Sequence, residues 1–431
     1  MMFRSLAHRP FALLWGGQTI SRLGDSLYHI AIAWWVLQKT GSAAAMGTVL
    51  VFTSVPMLIF LLVGGVVTDR FPRLRVMLIS DVLSGAVVAV VALLAFAGWL
   101  KVWHIYIASI VFGLVEAFFT PAYTATVPEI TPRPLLLSAN SLTSLSGSAA
   151  SIVGPALGAA IVALGGTSLA LGLDALSFFV SAGCVLSILR SRLELRAPEG
   201  EQLDPAPADA AAPGEHAPQP AAPPRASQVL RSVFADMREG YRAVIASPWL
   251  WITILIFALV NVTGGAPMAV ALPFLVKDNL GQGVATLGLF TSLGSVGFVA
   301  GAVWLGRYTR IRRRGLLGYV GTLLYGAMVM VFGLTLSVPL LSVAAFARGF
   351  FISLFSLVWT NSLQELVPRR LLGRVSSIDA LGSYVMLPIG YAIAGWATDL
   401  AGAPLVFVVG GAATLALALA GLAHPAVRGL D

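Results

Sequence analysis

Charge is scarce in this sequence. Only 11% of its 431 residues are Asp, Glu, Lys or Arg, 58% are hydrophobic, and the mean hydropathy is +0.87. A soluble chain carries about 25% charged residues. No water-facing fold can hide this much apolar surface, so the chain is read against a bilayer, where a spanning helix takes about 20 apolar residues. Cysteine is almost missing too: the one cysteine, Cys184, lies in an apolar run, which excludes a disulfide framework and a cysteine metal site. The five histidines, His8, His29, His104, His216 and His424, lack metal-ligand spacing. There is no Gly-x-x-x-x-Gly-Lys-Ser/Thr phosphate loop and no serine nucleophile elbow, so neither ATP hydrolysis nor other enzymatic chemistry is expected of this chain, and no cofactor. The net charge of +8 sits in short clusters between apolar runs, which fits membrane orientation and not nucleic acid. The first apolar run contains Arg22 and Asp25 and has no small-residue cleavage pattern; it reads as an uncleaved span.

What is present is a series of apolar runs. Six of spanning length fall at 11–38, 44–68, 74–98, 102–124, 137–164 and 168–188, and six more at 249–276, 284–306, 315–336, 338–364, 374–400 and 403–423. With both termini cytoplasmic, 22 of the 27 basic residues lie inside; Lys39, Lys101 and Lys277 lie outside, and Arg22 and Arg348 fall within spans. That asymmetry sets the orientation, since cytoplasmic loops keep the Lys/Arg excess. The chain divides into a six-helix bundle at 1–190, a cytoplasmic linker at 191–247 and a second six-helix bundle at 248–431. The linker centre, Glu199–Arg225, is rich in Pro and Ala and reads as a flexible tether. Gln228–Val244 alternates charged and apolar residues, and is expected as an amphipathic helix on the inner membrane surface.

The two halves repeat. At a shift of 236, Glu129-Ile-Thr-Pro132-Arg133-Pro-Leu135 lies over Glu365-Leu-Val-Pro368-Arg369-Arg-Leu371, Gly65 over Gly301, and Gly154 over Gly390. Asp25 falls on Asn261 and Phe112 on Arg348, so these charges belong to one copy only. Duplicated transporter folds show this relation, with the substrate site between the halves near mid-membrane. The densest charge follows the uncharged stretch 43–68, where Asp69, Arg70, Arg73 and Arg75 arrive within seven residues.

Gly65, Asp69, Arg70, Arg73 and Arg75 resemble the loop after helix 2 of the major facilitator superfamily, and Asp-Arg-Phe-Pro-Arg is similar to the spelling in its bacterial branch of macrolide and enterobactin exporters. Pro72 stands where Gly is usual, and Leu74 where a basic residue is usual. "RLGDSLY" (Arg22–Tyr28), Pro121-Ala122, "VPEITP" (Val127–Pro132) and the antiporter-like Gly154-Pro155 and Gly158 of helix 5 carry the same resemblance along the whole chain. It departs at Ala159, where Gly is usual, and at Phe112, where many drug antiporters carry a basic residue.

The resemblance implies an all-α polytopic membrane protein with twelve transmembrane helices in two pseudo-symmetric six-helix bundles, placed in the bacterial inner membrane. It implies that Asp69 contacts the start of helix 11, near Arg374, and latches the cytoplasmic side. Gly65 would let helix 2 approach a neighbour closely, and the arginines can pair with Asp81. Glu129, Arg133, Glu365 and Arg369 are expected to help close the inner gate.

Helices 1, 4, 7 and 10 line the cavity in this fold, which makes Asp25, Arg22, Glu116, Arg348 and Asn261 candidates for proton coupling and substrate charge. Burying an ionisable group near the bilayer centre costs at least about 2.5–3.5 kcal/mol, so each needs a reason. Arg22 and Asp25, one turn apart, alternatively form a local pair. Asp174 is read as structural, and Asp379 as a gate or helix-terminus group. Tyr28, Trp34, Trp35, Phe118, Phe119, Phe350, Phe351 and Trp359 form either an apolar pocket or helix packing. The expected function is export of an amphipathic small molecule by proton antiport, from a monomer with the lipid bilayer and its substrate as partners. The rivals are a proton-independent lipid or metabolite facilitator and a transporter-like membrane sensor.

Overall fold

The computed structural model describes residues 3–194, 237–308 and 311–431, without the side chains of Leu62, Asp69 and residues 192–194. The tether at 199–225 lies outside the described residues, as does the Asp69 side chain, on which the predicted latch depends. Among the described residues there is no strand.

Among the described residues twelve long helices follow one another. They are α1 Arg9–Thr40, α2 Ala43–Arg70, α3 Arg73–Phe96 and α4 Val102–Ile130, then α5 at 136–165 and α6 at 167–194. In the second half come α7 at 248–279, α8 Val284–Leu305, α9 Arg314–Phe332, α10 Val338–Leu366, α11 Arg369–Ala401 and α12 Ala403–Ala423. Among the described residues ten segments are long and apolar enough to cross a bilayer; one of these is α5 and α6 together. The remaining helix, α1, has the length but is made less apolar by Arg22 and Asp25. The predicted spans are all present, with ends displaced by a few residues.

Local chemistry explains the breaks. Gly41 ends α1 with φ 61°, and Gly166 separates α5 from α6 with φ 77°, a left-handed conformation that glycine adopts without strain. Ser42 caps α2 by accepting the Ala45 N–H at 3.2 Å. Helix α7 contains two π-type stretches, Asn261–Gly265 and Leu275–Asn279. Helix α11 is interrupted at Val385–Met386 between Arg369–Tyr384 and Leu387–Ala401, because the Pro388 ring clashes with the carbonyl one turn earlier.

Within the first half, α1 and α3 pack on α5/α6 and α2 packs on α4; within the second, α8 and α9 pack on α10, and α12 on α9. Two seams join the halves: α5 with α8, and α2 with the Leu387–Ala401 part of α11. The arginine-rich loops gather at one end, the basic end. The largest buried cluster unites both halves towards the other end, from Ile30–Leu37 of α1 to Leu272–Val276 of α7 and Phe290 of α8. At the basic end the buried residues fall into separate clusters, one of the first half holding Phe11, Met77 and Ile188, and two of the second half holding Val244, Ile254 and Val375, and Leu305, Leu354 and Val358. The halves thus share a core at one end and keep their own cores at the other.

A short helix at 237–246 precedes α7. The first part of the stretch expected as an amphipathic helix, 228–236, lies outside the described residues; in the described part Val244 is buried among Leu250, Val367 and Val375, while Tyr241 and Ile245 are exposed.

Candidate functional site

The site is built around the middle of α1. Asp25 is half-buried there, and His29, four residues on and hence on the same helical face, is exposed. Opposite, on α4, Glu116 is exposed and accepts a hydrogen bond from Thr120 Oγ1 at 2.5 Å. Asp25 lies within Coulombic reach of Glu116, Asp81 and Arg22. Two carboxylates therefore remain accessible inside a strongly apolar bundle.

Arg22 does not close on Asp25. Its guanidinium turns to α5 and α4 instead, donating to the Thr143 carbonyl at 3.3 Å and sitting 5.3 Å from the centre of the Tyr123 ring. The local-pair alternative is thereby corrected: a carbonyl and an aromatic face hold the cation and leave the carboxylate to the interior.

Behind Asp25 stands a polar network whose extent the sequence did not reveal. Asp174 of α6 is fully buried, receives the Ser177 hydroxyl at 3.4 Å, and leaves Oδ2 without a partner. Gln18 Nε2 donates to Ser181 Oγ at 2.7 Å, and Ser181 Oγ donates to Asp81 Oδ2 at 2.7 Å, linking α1, α6 and α3 through buried groups. The expected pairing of Asp81 with the loop arginines does not occur. Asp81 lies two turns inside α3, 2% exposed, out of reach of a loop. One signal was available in the sequence: Asp174, Ser177 and Ser181 are spaced three and four residues apart, which puts them on one face of α6.

In the second half Arg348 of α10 sits beside Tyr325 of α9 and Gly294 of α8, with its Nε unpartnered. Asn261 opens the first π-type stretch of α7, and its Nδ2 donates to the Ser383 carbonyl at 3.0 Å. The Asp25 counterpart is thus a tie between α7 and the α11 break, with its amide engaged by backbone. Asp379 accepts from Trp359 Nε1 at 2.9 Å, which joins α11 to α10.

The aromatic set resolves mostly into packing. Tyr28, Trp34 and Trp35 belong to the buried core; Phe119 stacks on Tyr123 and Trp359 on Phe355.

At the basic end Glu129 meets Arg73 at 3.3 Å, and Glu365 meets Arg314. Each pair joins the first residue of a half's third helix to the end of its fourth. The shift of 236 missed this, because Arg314 is not the residue it aligns with Arg73. Arg70, Arg75, Arg133 and Arg369 are exposed. Arg374 pairs with Glu239 of the short helix 237–246. Gly65 is not the close-approach residue in this structure: a Cβ there meets nothing within 4 Å, whereas one on Gly64 collides with the Ala117 carbonyl of α4. One residue is a 100° rotation, so the neighbouring glycine faces α4.

The helix 5 motif lies next to the site. A Cβ on Gly154 would collide with Ser26, and one on Gly158 would stand 3.1 Å from the Leu27 Cα, so both glycines let α5 close on α1 beside Asp25. Past Pro155, the Ala156 N–H donates to Ser292 Oγ of α8 at 3.1 Å, across the seam between the halves.

A family model described as the Major Facilitator Superfamily matches residues 14–386 and 269–428. The Macrolide efflux protein A of Streptococcus pyogenes is 22% identical over 98% of this chain and 97% of its own length. The Multidrug efflux pump Tap of Mycolicibacterium fortuitum is 28% identical over 98% of this chain and 97% of its own. Among solved structures, a POT family transporter in complex with a thioalcohol-conjugated peptide superposes with a TM-score of 0.70 at 12% identity, covering 96% of each chain, a likeness of fold.

Proposed function

The chain belongs to the major facilitator superfamily, and from that premise we propose that it is a secondary transporter exporting amphipathic small molecules by proton antiport. The observation that carries this reading is the pair Asp25 and Glu116, two accessible carboxylates on α1 and α4 in the interior of an apolar bundle. An ionisable group near the middle of a membrane-spanning helix is costly to place there. As groups that gain and lose a proton while access alternates, they have a function that repays the expense. The full-length likeness to proteins named for macrolide and multidrug efflux favours outward movement of a bulky substrate.

The residue roles follow. Asp25 exchanges the proton. Glu116 and Arg348 present charge to substrate from opposite halves, while Arg22 and Asn261 hold the helices on which the site moves. Gly154, Pro155 and Gly158 let α5 slide against α1 without leak. Residues 1–190 and 248–431 rock as two bundles about the linker 191–247. The basic end faces the cytoplasm of a bacterium, with both termini inside, and the monomer is the working unit. There Gly65, Asp69, Arg70, Arg73 and Arg75 form the gating loop, with Glu129, Arg133, Glu365, Arg369 and Arg374 as its partners. Separate cores at the basic end and a shared core at the other favour a state open to the cytoplasm.

The test uses inverted vesicles with an acid interior. A panel of macrolides, cationic dyes, catecholate siderophores and lysophospholipids is added, and substrate-induced proton release is followed. Release by the native chain but not by Asp25→Asn is expected. Accumulation that ignores the gradient would replace antiport with facilitation.

A further inference from the structure

At the end opposite the basic loops, a carboxylate from one half caps a helix of the other. Asp399, near the end of α11, accepts the Ser42 hydroxyl at 2.6 Å, the Ala43 N–H at 2.5 Å and the Ala44 N–H at 3.1 Å. Ala43 is the first residue of α2. The first N–H groups of a helix have no intrahelical acceptor, and the helix dipole makes that end positive, so a carboxylate placed there is stabilised twice over. Around it the two helices are in close contact. A Cβ on Gly47 would collide with the Tyr391 carbonyl, and one on Gly395 would stand 2.6 Å from the Ala43 carbonyl oxygen.

We infer that Asp399 is the latch that holds this end of the transporter shut, a positioning residue for alternating access; the inference rests on the alternating-access reading above. The cap is conditional. Ser42 already caps α2 from within its own chain segment through Ala45, so α2 forms without Asp399. What Asp399 adds exists only while the halves touch, because it sits on the other half. When they part, water takes the two N–H groups and the carboxylate, and the contact is lost without unfolding anything. Such a contact shifts an equilibrium between two arrangements without deciding whether either one folds.

The arrangement also mirrors the expectation for Asp69. Asp69 is the second-last residue of α2, and Asp399 the third-last of α11. Each carboxylate lies at the end of one helix of the pair; at Asp399 the start of the other helix runs beside it, and at the basic end, where α2 and the first part of α11 are not packed together, the latched state would bring the start of α11 to Asp69. The internal repeat does not produce this, since the shift of 236 carries Asp69 to Leu305. It follows from α2 and α11 lying side by side in opposite directions. One carboxylate closes each end, and closing one end separates the groups of the other.

The test measures distances in the purified, liposome-reconstituted full chain without substrate, so it stands whether or not export is found. One pair of spin labels at Lys39→Cys and Leu405→Cys spans the latched end, and another at Leu137→Cys and Arg370→Cys spans the basic end, both with Cys184→Ser. Double electron–electron resonance on Asp399→Ala should show the population with a wide Lys39–Leu405 separation rising about ten-fold, as expected for a lost helix-capping carboxylate, with a matching narrowing at the basic end. Ala43→Pro attacks the other partner: proline is tolerated at the first helical position yet has no N–H to give Asp399, so it should shift the same two distances the same way. Unchanged distances in both variants, or widening at one end without narrowing at the other, would overturn the latch.

Discussion

Gly24 of α1 and Asp174 of α6 are in such close contact that a Cβ on Gly24 would stand 2.5 Å from Asp174 Oδ1, and it would collide with the Ser177 hydroxyl. The glycine before Asp25 is therefore what allows α1 to lie against the fully buried acid of α6. The accessible carboxylate and the buried one are held on adjoining faces of a single contact.

That contact fixes the first expectation. Gly24→Ala forces either the Asp174–Ser177 pair or the α1 backbone to shift, an overpacking that costs about 1–3 kcal/mol. The thermal unfolding midpoint of the detergent-solubilised protein should fall, and Gly16→Ala, where a Cβ meets nothing within 4 Å, should leave it in place. Equal behaviour of the two variants would remove the close approach from the account.

The buried chain Gln18–Ser181–Asp81 gives the second. Ser181→Ala leaves Gln18 Nε2 and Asp81 Oδ2 without the hydroxyl that joins them, and a buried polar group left unsatisfied costs about 1–3 kcal/mol. Ser187→Ala, on the exposed side of the same helix, is the control. A stability loss confined to Ser181→Ala, read by the same unfolding assay, is the expected outcome; none at all would mean that water or a neighbour replaces the hydroxyl.

The ion pairs at the basic end give the third. Arg73 and Glu129 are 34% and 40% exposed, so their coupling in a double-mutant cycle should be about 0.2–1 kcal/mol. Arg314 is only 15% exposed and should couple more strongly to Glu365. Reversing both charges of a pair should recover most of what one reversal removes. Failure of that rescue would show that position, and not charge, is what these residues contribute.

The tie from Asn261 to the Ser383 carbonyl gives the fourth. Asn261→Ala should loosen the α7–α11 contact and speed amide hydrogen exchange around Val385–Met386, where α11 is already interrupted. Asn261→Asp tests the halves' asymmetry: it restores the carboxylate of the first copy but cannot donate to the carbonyl while ionised, so exchange should again be fast. Exchange at native rates in both variants would leave Asn261 free for a role at the substrate.

Much of the fold was legible before any coordinate. Runs of about 20 apolar residues and the arginine-rich loops determined twelve spans, their order and which loops share an end, because a spanning segment of that length satisfies its backbone hydrogen bonds within itself as a helix. The repeat marked the two halves, and the acids in apolar runs marked where function was to be sought. Partnership was a different matter. Whether Arg22 turns to Asp25 or to the Thr143 carbonyl, whether Gly64 or Gly65 faces α4, that Glu129 meets Arg73, and that Asp399 reaches the first N–H groups of α2 were all decided by tertiary structure. The physical reason is that helix formation is set within one turn, by residues that are neighbours in sequence. Pairing is set by the rotation of each helix about its axis and by its depth against another, and those depend on every side chain along both.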